Sequence, residues 1–308
     1  GADGHVAPMI FVGRTMLELG ARQQFEGVDA ERAQVVALRT HIAGEIAVSS
    51  GRRRAVGEAE ARVREDRMRA LRAIRFAARF RFEIEPDTWK AIVGSAPFLT
   101  RLSPERVKQE LEKTMEQVVA PSTAFARWRD SGAFASVVPT LSHVSDDTLR
   151  AVDALPRPGL AGRPLRKTLR IAALFSEVGG KEAERALRDL RFSNQDIANV
   201  SALVDRWTRF APSLTPSLAA NVLPTDADLR RVAAGIGRLR VAAFVRLAAA
   251  HWSAGGGVSP AVVRRLYRRM ITIAFRGPIE LADLAVDGDD LRSAGDRTST
   301  RLNSSHRS

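Results

Sequence analysis

Between about residues 60 and 285, apolar positions recur at helical spacing, and no run alternates apolar with polar as a half-buried strand would. Val107, Leu111 and Met115 fall at i, i+4 and i+8, and Met68, Leu71, Ile74 and Ala78 line one side of Glu65–Phe80, which no glycine or proline interrupts. Helix starts are legible too. Ser103-Pro104-Glu105 offers a capping hydroxyl, a proline at the first helical position and an acid for the helix dipole. Ser193 with Asp196, Thr225 with Asp228, and Ser259-Pro260 repeat the theme. Loops are predicted at Ser95–Pro97, Leu155–Pro164, Pro212–Pro216 and Gly255–Gly257. The pattern predicts a mainly α fold, a helical array in two packed lobes dividing near 156–164. Residues 51–155 form its first part and 156–295 its second. Residues 1–50 show no sustained period and stay unassigned. Residues 296–308, rich in Ser, Thr and Arg, read as a non-native tail and are set aside.

Composition narrows the class. The chain has 308 residues, 45% hydrophobic and 27% charged, a globular balance. Aromatics make up 6%, so cores are built from aliphatic side chains and alanine, which favours packed helices. The absence of cysteine excludes disulfides, thiol catalysis and zinc fingers, and suits a reducing compartment. No apolar run approaches the roughly 20 residues of a membrane span, and no signal peptide is visible at the start, so a cytoplasmic protein without membrane contact is expected.

Charge changes the picture more. Lys and Arg total 48 against 35 acids, a net charge of +13, and only five of the 48 are lysine. Such a surplus attracts a polyanion, and guanidinium forks suit phosphate oxygens. A GC-rich gene would also inflate arginine. Between Gly51 and Arg81 stand eleven arginines and four acids. Within that stretch Asp66, Arg69 and Arg72 are spaced i, i+3, i+6, which on one helix places them along one side. A carboxylate only accepts hydrogen bonds and a guanidinium only donates. Adenine and cytosine each present an amino donor beside a ring-nitrogen acceptor, whereas guanine and uracil present the reverse. An Asp/Arg pair therefore suits A and C and leaves unpaired groups against G and U, at about 1–3 kcal/mol per group. The plain alternative is an intrahelical ion pair worth a few tenths of a kcal/mol.

The run GEAEARVREDRMRALRAIRFAARFRFEIEPDTWKAI, followed by APFLTRLSPERVKQELEK, closely resembles the segment after the catalytic head in class II tRNA nucleotidyltransferases (CCA-adding enzymes) and bacterial poly(A) polymerases. The likeness is strong over about residues 54–140 and continues weakly to LADLAVDGDDLRSAG at 281–295. It implies the helical neck, body and tail of such an enzyme, with tRNA and nucleoside triphosphates as partners and CTP and ATP as substrates. Asp66 and Arg69 would read the base edge, Glu65 would orient Arg69, and Arg72 and Arg75 would contact the nucleotide or its phosphates. Glu105, Arg106 and Glu110 would support the pocket. Arg166, Lys167, Arg170, Arg264, Arg265 and Arg268 would hold tRNA phosphates. Family chemistry resides in an α/β head with a Gly-Ser loop and a D-x-D pair for Mg²⁺. Neither motif is found here, so the head is expected to be absent or a remnant in residues 1–50, and the chain to bind RNA without catalysing. The acid-x-acid pairs Glu58/Glu60, Glu83/Glu85, Asp226/Asp228 and Asp287/Asp289 read as solvated helix ends or loops. Arg81 stands where relatives usually carry glycine. Alternatives of another class or product are a poly(A) polymerase and a non-catalytic helical RNA-binding module. Oligomeric state is not legible.

Overall fold

The computed structural model describes residues 60–156 except 62, residues 164–279, and positions 283, 290 and 293. The expectations for 1–50, for 296–308, for Glu58 and for the Asp287/Asp289 pair lie outside these residues. Among them no strand occurs, and the chain is an array of helices as the periodicity predicts. In order these are α1 (Met68–Phe80), α2 (Pro86–Ser95), α3 (Pro104–Gln117), α4 (Ser122–Asp130), α5 (Ala133–Val137), α6 (Asp146–Ala154), α7 (Pro164–Leu174), α8 (Gly180–Asp189), α9 (Asn194–Ala219), α10 (Asp226–Ile236), α11 (Val241–Ala254) and α12 (Pro260–Arg276).

Local chemistry sets the starts. The hydroxyls of Ser193, Thr225 and Ser259 accept the amides of Asp196, Asp228 and Val262, as the spacing predicts. Ser103 precedes the proline-initiated α3 in extended conformation but makes no side-chain cap. Arg81 ends α1 at φ 57°, a left-handed conformation that glycine adopts without steric cost.

Two predicted loops are helical. Ala96–Arg101 forms a 3-10 turn. The Pro212–Pro216 loop does not exist: both prolines lie inside α9, which runs on to Ala219. There Ala211, Leu214 and Leu218 are buried at helical spacing, and Trp252 on α11 donates its indole N–H to the Thr215 hydroxyl at 2.9 Å. Packing of that stripe outweighs two missing amide donors. Gly180 opens α8 where it meets α9, and a Cβ there would lie 2.8 Å from the Asp205 Cβ.

The buried core is one contiguous cluster from Val63 to Ala274. Helix α6, ahead of the 156–164 stretch, packs on α7 and α11 beyond it. No described helix is long and apolar enough to cross a membrane.

Candidate nucleotide and RNA site

Asp66 does not sit within a helix, as its i, i+3 spacing to Arg69 suggests, but between a helical stretch that includes 63–65 and the start of α1. Its Oδ1 accepts the Met68 amide at 3.1 Å, which stops one helix and starts the next. The same oxygen accepts a guanidinium N–H from Arg106 of α3 at 3.0 Å. Arg69, in the first turn of α1, donates from Nη1 to Glu65 Oε2 at 2.9 Å. The Asp66 and Arg69 side chains are 30% and 24% exposed, so both are held yet reachable. Arg72 is half-buried on α1 and forms no ion pair with a described residue. Glu105 is exposed in the first turn of α3, where its charge faces the helix dipole.

Other assignments change. Arg75 is 5% exposed, and its guanidinium donates to Glu110, itself 1% exposed, and to Gln117 Oε1 at 2.8 Å. Burial and commitment to α3 remove it from the set that contacts a nucleotide. Arg79 donates to the same Gln117 oxygen at 3.1 Å. Together these bonds bolt α1 to α3.

Of the arginines and lysine expected to hold RNA, two are committed elsewhere. Arg170 is 1% exposed and donates to the Leu155 carbonyl from Nε and Nη2 (3.0 and 2.8 Å) and to the Met115 carbonyl from Nη1 (2.6 Å). It is a buried structural tie and cannot meet a phosphate. Lys167 donates to Glu112 and Asp196 at 2.9 and 3.3 Å, so its charge is already compensated. Arg166 is half-buried on α7. Arg264, Arg265 and Arg268 are exposed on α12, with Arg265 donating to the Asn221 carbonyl at 2.9 Å. Arg264 and Arg268 line a cleft of about 350 Å³ with Arg246, Tyr267 and an apolar floor of Val245, Ala249 and Val263. Sequence reasoning missed Arg246 and Tyr267. Tyr267 was findable, three residues after Arg264 on one helix face, whereas Arg246 comes from α11 and needs the tertiary fold.

A second cleft, about 380 Å³, runs between the stretch ahead of Asp66 and α2 and is lined by Arg64, Arg67, Lys90 and Phe98 among others, but not by Asp66, Arg69 or Arg72. Of the acid-x-acid residues described, Glu60 pairs with Arg64, Asp226 with Arg269, and Asp228 with Arg231. Among the described residues no three His, Asp or Glu side chains converge to hold a metal ion. The described acids therefore do not fit a Mg²⁺ site.

Known proteins resemble this chain in fold and sequence. Residues 81–144 match the family described as "Probable RNA and SrmB- binding site of polymerase A". A CCA-adding enzyme from Geobacillus stearothermophilus is 32% identical over 238 residues, 77% of this chain and 53% of that protein. Another from Geobacillus thermodenitrificans is 35% identical over 161 residues, 52% of this chain and 38% of that protein. The crystal structure of the Bacillus stearothermophilus CCA-adding enzyme in complex with CTP superposes with a TM-score of 0.50 at 28% identity, covering 77% of this chain and 54% of that one. The chain is thus a homologue of CCA-adding enzymes and carries a stretch that matches the RNA-binding region of polymerase A. It spans about half or less of the length of these two relatives.

Proposed function

We propose that this chain is the nucleotide-selecting and RNA-holding part of a CCA-adding tRNA nucleotidyltransferase, a cytoplasmic transferase that adds CMP and AMP from CTP and ATP to tRNA 3′ ends. The observation that carries this reading is the 32% identity to a CCA-adding enzyme across 77% of the chain. The Glu65–Arg69 and Asp66–Arg106 pairs at the mouth of α1 support it. Chemically, Asp66 Oδ2 would accept the exocyclic amino group of C or A, and Arg69 would donate to the adjacent ring nitrogen. Glu65 and Arg106 would hold the two side chains against rotation, so little conformational freedom is lost when a base arrives. Mg²⁺, if the whole enzyme uses it, would be held outside the described residues.

Hydrogen exchange tests the base-reading role. CTP and ATP should slow exchange in α1 at concentrations about ten-fold below those at which UTP and GTP do, and Arg69→Ala should erase that preference. Equal slowing by all four, or by none, overturns the role.

The RNA-holding face is proposed as Arg264 and Arg268 with Arg246, on the cleft between α11 and α12. Exchanging Arg264 and Arg268 for serine should weaken tRNA binding for every tRNA sequence alike. It should also lower the slope of log affinity against log salt by about 1 per residue. A slope identical to the parent chain's would place RNA elsewhere. Because the matched family is named for polymerase A, poly(A) addition is the second reading. Product length of the whole enzyme separates the two: three nucleotides at most for CCA addition, a long homopolymer for the other.

A further inference from the structure

Phe98 is out of place as a core residue. It sits on the 3-10 turn Ala96–Arg101, whose Ala96 and Leu99 are buried and anchor the turn, yet its own side chain is left 45% exposed. A single exposed ring is ordinary at a protein surface, so the surroundings of this one decide what it can do. Two guanidinium groups attend the ring: Arg67 lies 4.7 Å and Arg101 5.7 Å from its centroid. Neither arginine pairs with a described carboxylate. The acids nearby are already matched, Glu60 with Arg64 at 2.9 Å and Asp87 with Lys90 at 3.2 Å. Phe98 and Arg67 form one wall of the 380 Å³ cleft, whose floor is Val63 and Ala91. At Gly94 on the same wall, a Cβ would meet nothing within 4 Å, so the cleft is open there.

An aromatic face attended by two cations that pair with no described carboxylate suits a flat ring tethered to phosphates. Bases of single-stranded RNA stack on such faces irrespective of sequence, while guanidinium groups take the flanking phosphates. An apolar peptide would use the floor but leave both charges idle. Arg67 also directly follows Asp66, so the platform adjoins the position assigned to the incoming base. We propose that Phe98, Arg67 and Arg101 form a stacking platform for an unpaired base at the 3′ end of the RNA being extended. This rests on the nucleotide-selecting reading of Asp66 and Arg69 given above.

Two hairpin RNAs test it, one with an unpaired 3′ overhang carrying the fluorescent base 2-aminopurine and one blunt. The chain should bind the overhang hairpin more tightly and change the emission of its reporter base. Phe98→Leu, close in bulk but without a π face, should weaken overhang binding about ten-fold and leave the blunt hairpin unaffected. Phe98→Trp should restore both affinity and emission change. Arg67→Gln and Arg101→Gln should each reduce the salt slope for the overhang by about 0.7. Unchanged overhang binding in Phe98→Leu, or an equal loss on both hairpins, overturns the platform and leaves the cleft to a protein partner. If the parent chain binds neither hairpin, the RNA-holding reading itself fails, an outcome distinct from loss of the platform alone.

Discussion

Replacing Glu110 by alanine is expected to destabilise the fold by about 3–5 kcal/mol, the effect of stripping one partner from a buried ion pair. Glu110 is 1% exposed and Arg75 5% exposed, so the guanidinium left behind would have neither water nor a carboxylate. Gln117 would remain as a neutral acceptor for Nη1, not for the Nε proton that Glu110 takes. The double exchange Arg75→Met with Glu110→Leu removes both charges and refills the space, and it should lose much less than the single variant. Urea unfolding measures both, through midpoints at unchanged slope. A loss below about 1 kcal/mol for Glu110→Ala would show that the pair is not sequestered. The same pair aligns α1 with α3, the helix that sends Arg106 to Asp66, so the single variant should also blunt the CTP and ATP effect on α1 exchange.

Acidification should produce the second large effect, through His251. Its ring stacks on Trp207 with centroids 4.5 Å apart, and its Nε2 is buried without a hydrogen-bond partner among the described residues. Burial pushes its pKa down from 6.5 to about 4, against a weaker opposing pull from Glu177. The unfolded chain therefore takes up a proton near pH 6.5 while the folded chain refuses it until about pH 4. Stability from this group is complete above pH 6.5 and falls as pH drops toward 4, by at most about 1.4 kcal/mol per pH unit and about 3 kcal/mol in all. Glu177 acts in the same direction at lower pH. Burial would raise its pKa, but hydrogen bonds from Ser145 and Thr148 outweigh that and hold it below the ordinary carboxylate range. Comparing the parent with His251→Phe by thermal unfolding between pH 7 and 5 isolates the histidine. The parent should lose stability more steeply, and parallel curves would refute a buried neutral ring.

Much of this architecture was legible because helix chemistry is local. A hydroxyl three residues ahead of an amide, or an apolar residue every third or fourth position, acts within one or two turns, and the caps at Ser193, Thr225 and Ser259 form accordingly. The failures share a different cause. Pro212 and Pro216 signal a break locally, yet the buried stripe of α9 and its contact with Trp252 override them. Asp66 reads as a mid-helix residue until Arg106, forty residues on, pairs with it and its own side chain ends a helix. At the candidate site the residue types and order were readable, but not their division of labour. Arg72 and Arg75 look alike in the sequence, and only the placement of α3 sends one to Glu110 while the other pairs with no described carboxylate. Arg170 likewise reads as one more cation in a basic run until the carbonyls of Leu155 and Met115 converge on it.

That convergence bears on codon drift. On the exposed side of α12, where the proposed role of Arg264 and Arg268 is to meet phosphates, an ammonium would serve nearly as well as a guanidinium, so a gene sliding toward AT-rich codons could exchange either for lysine cheaply. At position 170 it could not. A compact ammonium on a flexible stem lacks the planar spread with which Arg170 addresses two backbone oxygens from segments 40 residues apart in the chain. Whatever sets the number of arginines elsewhere in this polypeptide, the one at position 170 is held there by geometry.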